Sequence, residues 1–228
     1  MSSEPRGFFV TGTDTGVGKT VVACALLRAL RARGVDVAGF KPIETGIGPS
    51  GPLDALALRE AAGAHDALEL VCPQRFALPA APTVAAAAEG RRVELAAVRS
   101  AFAALAARHT CVIAEGAGGL LAPATEAVSM AELARELGLP VLIVTRASLG
   151  TINHTRLTLE ALAARGLALA GVVISHGATP IPAADGENLA ALRRELGTRL
   201  VGEVPPLAPG ELPGAGCLDL DALLRAAH

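Results

Sequence analysis

Apolar positions in this chain follow two alternating patterns. Short runs rich in β-branched and aromatic residues read as buried strands; longer stretches with apolar residues three or four apart read as helices. Phe8-Phe9-Val10-Thr11 is the first short run and ends at Gly12. From Gly18 to Arg33 the pattern is helical, with Val21, Ala25, Leu26 and Leu30 on one face, and Gly34 stops it. Val37-Ala38-Gly39-Phe40-Lys41 is a second strand closed by Pro42, and a residue before proline stays extended, so Lys41 belongs at the strand tip. Ile43 to Pro52 is rich in Gly, Pro and Ser and reads as a loop. Further helices are expected over Leu53–Ala62, 82–89, 94–108, Val128–Leu137, Thr151–Arg165, 187–196 and 219–227. Further strands are expected at Thr110–Glu115, Pro140–Thr145, Leu169–Ser175 and Leu200–Val204, followed by an irregular stretch from Pro205 to Gly216.

The inner strands are apolar on both faces. This predicts an α/β fold: a mostly parallel central sheet with helices on both faces, in one domain over residues 1–228. Ligands in such folds bind beyond the carboxyl ends of the strands, here Gly12, Lys41, Glu115, Thr145 and Ser175. The strand ending at Lys41 is expected beside the first strand, with its tip facing the same crevice.

Composition narrows the picture. Hydrophobic residues make up 51% and charged residues 18%, which excludes a disordered chain. Aromatics are 2%, without Trp or Tyr, so the core must be Ala, Leu and Val, with helices packed closely on the sheet. No run reaches the ~18 apolar residues of a membrane span. Met1–Arg6 lacks the apolar segment of a signal peptide, so a cytoplasmic location is expected. A net charge of −2 gives no general attraction to nucleic acid or to an anionic membrane. Cys24, Cys72, Cys111 and Cys217 stand far apart and read as reduced, buried small residues. Of 20 basic residues only Lys19 and Lys41 are lysines. A lysine kept among arginines points to a site that needs a compact ammonium.

Between the first strand and the first helix lies Gly12-Thr13-Asp14-Thr15-Gly16-Val17-Gly18-Lys19-Thr20. It resembles a P-loop one residue longer than the strict spacing. Glycines let the backbone wrap anionic oxygens, and the free amides of the helix start point at them. Lys19 can reach outer phosphates, and Thr20 can offer its hydroxyl to Mg²⁺. Glu115 ends a buried strand before a glycine run, where a charge needs a partner or a ligand; it is a Walker B-type acid or a surface acid. Asp54 is a metal ligand or an N-terminal helix residue. Lys41 is a second phosphate cation or a solvated strand tip.

Taken together, these residues resemble the dethiobiotin synthetase family. The matching stretches are Val10–Thr20, Gly39–Gly46, Asp54–Leu58, Glu115–Gly119, Leu149–His154 and Gly202–Pro205, in order along most of the chain. The resemblance implies a P-loop NTPase-like ligase of biotin biosynthesis. CO₂ (or bicarbonate) adds to 7,8-diaminononanoate as a carbamate, ATP phosphorylates the carbamate, and the second amine closes the ring. It implies Lys41 and Lys19 as catalytic cations, and Thr20, Asp54 and Glu115 as the Mg²⁺ shell. Nucleotide contacts are implied for Gly16, Val17, Gly18, Lys19, Thr20, Val21, Asp54, Glu115, Gly116, Ala117 and Gly118. Ser175, His176, Pro205, Pro206 and Leu207 are implied at the base, with Glu211 as a ribose contact. Thr15 and Thr45 are implied at the amines or the carbamate. Gly150, Thr151 and Asn153, at the start of a helix, are implied at the substrate's carboxylate. That end is reached from a neighbouring subunit, so a homodimer is implied. The alternative for Asn153 and His154 is ordinary helix capping and packing.

Two positions depart from the family pattern. Gly16 stands where many members carry an acid that touches substrate, and Glu44 is a candidate replacement. Ser175-His176 lacks the asparagine with which members often read adenine. The rival reading is a switch-type P-loop ATPase acting through a protein partner. Such proteins carry a lysine five positions before the P-loop lysine, where this chain has Asp14.

Overall fold

The computed structural model describes residues 6–63, 66–177, 182–208, 211 and 213–226. The strands are β1 (Arg6–Gly12), β2 (Val37–Phe40), β3 (Ile43–Thr45), β4 (Gln74–Phe76), β5 (Cys111–Gly119), β6 (Val141–Arg146), β7 (Leu169–Ser175) and β8 (Leu200–Val204). The helices are α1 (Lys19–Ala32), α2 (Leu53–Ala62), α3 (Leu68–Val71), α4 (Pro82–Ala88), α5 (Leu95–Ala106), α6 (Met130–Glu136), α7 (Thr151–Ala164), α8 (Ala183–Leu196) and α9 (Leu220–Ala226). Six strands form one sheet in the order β2-β5-β1-β6-β7-β8, and every pairing in it is parallel.

The strand period of two divides the core. Phe8, Val10, Ile113, Leu142 and Val144 face α1, α2 and α9, while Phe9, Val112, Ala114, Val141 and Ile143 face α5 to α8. Both layers are assembled mainly from Ala, Leu and Val, as the composition requires. The expected mostly parallel sheet with helices on both faces is therefore present. No helix among the described residues is long and apolar enough to cross a membrane.

Several expectations need correction. The strand ending before Lys41 is not beside the first: β5 lies between β2 and β1. Lys41 nevertheless reaches the crevice, because β5 carries Glu115 into the gap. The stretch 43–52 is not all loop, since β3 pairs in parallel with β4, Ile43 with Gln74 and Thr45 with Phe76. A three-residue strand has too few positions to show alternation, and its partner lies 31 residues away. The short α3 was likewise not foreseen. β5 runs on through the glycines to Gly119, and α8 begins at Ala183 rather than 187. Val21 is 37% exposed; the packed side of α1 is Val22, Ala23, Leu26, Leu27 and Leu30. Cys24, Cys72 and Cys111 are buried, but Cys217 is only half-buried. Residues 1–5 and Ala227 lie outside the described residues.

Gly39 lets α2 lie directly on β2. A Cβ there would stand 2.8 Å from Leu58 Cβ and 2.9 Å from the Leu58 carbonyl oxygen. Gly39→Ala should therefore push α2 outward and destabilise the protein by about 1–3 kcal/mol, read as a lower urea midpoint. A wild-type midpoint would contradict this close approach.

Candidate active site

The loop from Gly12 to Gly18 turns on residues that need glycine. Gly16 and Gly18 have φ of 69° and 94°, in the left-handed region. A Cβ on Gly18 would also meet Ser175 Oγ at 2.4 Å, so the end of β7 touches the loop. Val17 is buried and anchors the loop to the core. Gly18 is the N-cap of α1 and supplies no side-chain cap, so the helix keeps amides for an anion. Lys19 is buried, and its Nζ donates to the Asp14 carbonyl at 3.1 Å. Burial lowers its pKa, Glu115 opposes that, and the charge of Lys41 adds to it.

Thr20 opens α1 and faces the ends of β5 and α2. Its Oγ1 lies 3.0 Å from Asp54 Oδ1 and 2.9 Å from Glu115 Oε1. Lys41 closes the cluster, donating to Asp54 Oδ2 at 2.7 Å and Glu115 Oε1 at 2.5 Å. Lys41 is 3% exposed and Glu115 is fully buried. Burial alone would discharge Lys41, but Glu115 and Asp54 outweigh it and hold its pKa above the ordinary lysine value. Burial pushes Glu115 upward against the pull of Lys41. Burial also acts to raise Asp54, but Lys41 and Thr20 leave it below the usual carboxylate value.

This oxygen set suits a hard divalent cation. One Thr20 proton serves two carboxylate oxygens, so one of the two contacts lacks a donor. Glu115 Oε2 is buried without a hydrogen-bond partner. The described residues hold no cluster of three or more His, Cys, Asp or Glu in ligating positions. An ion here would therefore rely on a hydroxyl, the two carboxylates and phosphate oxygens, the shell Mg²⁺ favours.

Thr15 of the same loop lines a cavity of about 390 Å³, together with Thr45, Pro79, Ala117, Gly118 and Gly119, among others. β3, missed in the sequence, is the element that brings Thr45 to it. Ala117 and Gly118, expected at the nucleotide, line this cavity instead of facing only the phosphate loop. Gly116 is packed against Phe9, where a Cβ would come within 2.9 Å of the ring.

The family model described as an AAA domain matches residues 6–211. The ATP-dependent dethiobiotin synthetase of Anaeromyxobacter dehalogenans strain 2CP-C is 60% identical over 171 residues, 75% of this chain and 77% of that protein. That of Aromatoleum aromaticum is 45% identical over 90% of this chain and 93% of its own length. One from Salmonella typhi is 38% identical over 97% and 99%. The chain belongs to the ATP-dependent dethiobiotin synthetase family. Its fold is shared more widely. A putative plasmid partition protein of Borrelia burgdorferi superposes with a TM-score of 0.58 at 11% identity, covering 98% of both chains. The MinC:MinD complex of Aquifex aeolicus gives a TM-score of 0.56 at 13% identity, over 97% of this chain and 86% of that one. At such identities the likeness concerns architecture alone: a P-loop NTPase fold.

Against the expectations for a dethiobiotin synthetase, the far end of the site divides. Thr151 is buried, with its hydroxyl 2.9 Å from Thr145 Oγ1 and its amide on the Ser148 carbonyl. Its polar groups are committed to packing. Gly150 has φ 90°, and His154 N–H returns to the Gly150 carbonyl, which leaves the Ile152 and Asn153 amides as the open donors of that turn. Asn153 and His154 are exposed. At the other end, the His176 ring faces Glu203 Oε1 at 2.5 Å, and Arg193 Nε donates to Glu203 Oε2 at 2.9 Å. The His176 side chain is thus engaged by Glu203. Pro205 and Pro206 are exposed, and Leu207, half-buried, returns its N–H to the Gly177 carbonyl. Glu211 accepts from the Ala208 amide, in a turn of its own.

One contributor escaped the sequence reading. Arg146, at the end of β6, donates to the Thr15 carbonyl at 3.1 Å and braces the loop apex. Nothing in the sequence separates it from the other arginines. Glu44 does not replace the acid missing at Gly16, because both its oxygens accept amides of α2.

Lys41→Gln leaves two carboxylates facing each other around a buried hole. It should abolish turnover and lower stability at neutral pH by about 3–5 kcal/mol. Glu115 in the folded variant then binds a proton more tightly than in the unfolded chain, so the deficit is full at high pH and shrinks as pH falls through that raised pKa. Urea titrations of both proteins between acid and neutral pH measure this. A constant deficit would overturn it.

Proposed function

We propose that this chain, a ligase of the dethiobiotin synthetase family, joins CO₂ to 7,8-diaminononanoate and closes the ring of dethiobiotin with ATP and Mg²⁺. One observation carries the reading in detail. The sole two lysines of the chain are drawn to one cluster with Thr20, Asp54 and Glu115, and the same phosphate loop supplies Thr15 to the cavity that Thr45 also lines.

The chemistry follows from these groups. An amine held near Thr15 and Thr45 adds to CO₂ and loses a proton, giving a carbamate. A carbamate oxygen takes the γ-phosphoryl group, and ADP leaves. The second amine attacks the carbonyl carbon and expels phosphate as the ring closes. Lys19 and Lys41 offset the charge that spreads over the phosphoryl oxygens in transfer. Thr20, Asp54 and Glu115 would hold Mg²⁺, which when bound neutralises phosphate charge. The Ile152 and Asn153 amides at the start of α7 suit the far carboxylate of the substrate.

We further place the protein in the cytoplasm as a homodimer. Leu149 and Leu157, flanking and within α7, are 77% and 55% exposed, a face that a second copy would cover while completing the carboxylate end of the site.

The direct test supplies purified protein with Mg-ATP, bicarbonate and 7,8-diaminononanoate and follows ADP and ring product together. Turnover is expected only with the diamine present. Diamine-independent hydrolysis stimulated by another protein would favour the switch-type reading instead. Thr45→Val should raise the KM for the diamine about 10-fold or more, as loss of a hydrogen bond to a charged group implies, with the KM for ATP unchanged. Parallel changes in both constants would remove Thr45 from the amine site.

A further inference from the structure

Helix α2 has no cap of its own. Pro52 occupies the N-cap position and offers no oxygen to the first-turn amides. Those amides are taken by Glu44, on the separate strand β3. Glu44 Oε1 accepts from Asp54 N–H at 3.0 Å, and Oε2 accepts from Ala55 N–H at 2.9 Å. Glu44 is buried at 6% exposure, and the cap therefore ties α2 to β3 inside the protein.

The residue so held is Asp54. Each of its oxygens faces a neighbour, Oδ1 the Thr20 hydroxyl at 3.0 Å and Oδ2 the Lys41 ammonium at 2.7 Å. A carboxylate that accepts an amide on each oxygen cannot turn without losing one of them, so it fixes the start of α2 in position as well as capping it. Helix capping alone does not explain the arrangement. A serine or aspartate in place of Pro52 would cap α2 from its own N-cap position. Instead, a third carboxylate is buried next to the two that already surround one ammonium, where each added negative charge is unfavourable.

We propose that Glu44 is a positioning residue of the cation site: by holding the Asp54 and Ala55 amides from β3, it sets the Asp54 carboxylate against Thr20 and Lys41 and thereby raises the affinity for the divalent ion without touching it. This rests on the reading of Asp54 as a metal ligand.

Three variants test it: Glu44→Gln, the same change with Pro52→Ser, and Asp54→Asn. Glutamine keeps the shape of Glu44 but turns one acceptor into a donor facing an amide. The readouts are Mn²⁺ affinity of the ADP-bound protein by electron paramagnetic resonance, thermal stability, and the diamine KM. Glu44→Gln should weaken Mn²⁺ binding about 10-fold, the lower end for residues that orient metal ligands, with the diamine KM unchanged. Adding Pro52→Ser supplies a local cap; it should restore thermal stability, and folding if the single variant lacks it, without restoring Mn²⁺ affinity. Glu44 is only a helix cap if its variant binds Mn²⁺ normally, or if Pro52→Ser restores affinity together with stability. Unchanged Mn²⁺ affinity in Asp54→Asn would instead overturn the reading of Asp54 itself, and the proposal with it.

Discussion

The Lys41 ammonium lies almost out of contact with water, between Asp54 and Glu115. A lone buried charge of this kind is expelled or neutralised, so the cation and both carboxylates must be placed as a unit. They come from the end of β2, the first turn of α2 and the middle of β5, with Thr20 of α1 across the gap. Sheet order, the close seat of α2 and the start of α1 all converge on that one cluster. Its hydrogen bonding remains incomplete: an oxygen of Glu115 stays unpartnered.

Small residues make this convergence possible. Gly39 admits α2, Gly18 admits the Ser175 hydroxyl, and Gly116 admits the Phe9 ring. In a chain nearly without aromatics, backbone elements approach closely, and the seat of α2 on Gly39 is the approach that brings Asp54 towards Lys41. The same tightness makes the site intolerant of shifts, since the polar contacts within it all lie between 2.5 and 3.0 Å.

The tip of β6 has a comparable office on the other side of the loop. Arg146 points outward to the Thr15 carbonyl, and Thr145 points inward, within 2.9 Å of Thr151 and 2.8 Å of Thr155. Adjacent residues of one strand thus brace the phosphate loop and the start of α7. The alternation of a strand allows one tip to serve both. At the ends of β7 and β8, His176 and Arg193 both engage Glu203 and tie these two strands to α8.

The phosphate loop, the parallel sheet and most helices were legible in the sequence because they depend on neighbours: glycines beside a strand, apolar residues at fixed period, a proline after Lys41. The candidate cations and acids were legible as well, through their rarity or their place at a strand end. Other features depended on residues far apart in the chain. Whether Asp54 was a ligand or a cap turned on Lys41 and Thr20. Whether Glu44 was free turned on the amides of α2, and whether β3 existed turned on a partner 31 residues away. The position of β5 between β2 and β1 was beyond any local pattern, since parallel strands are joined by crossovers that leave no mark of order. Local chemistry therefore determined which groups the chain would bring to a site, while the packing of distant elements alone decided which of them would touch.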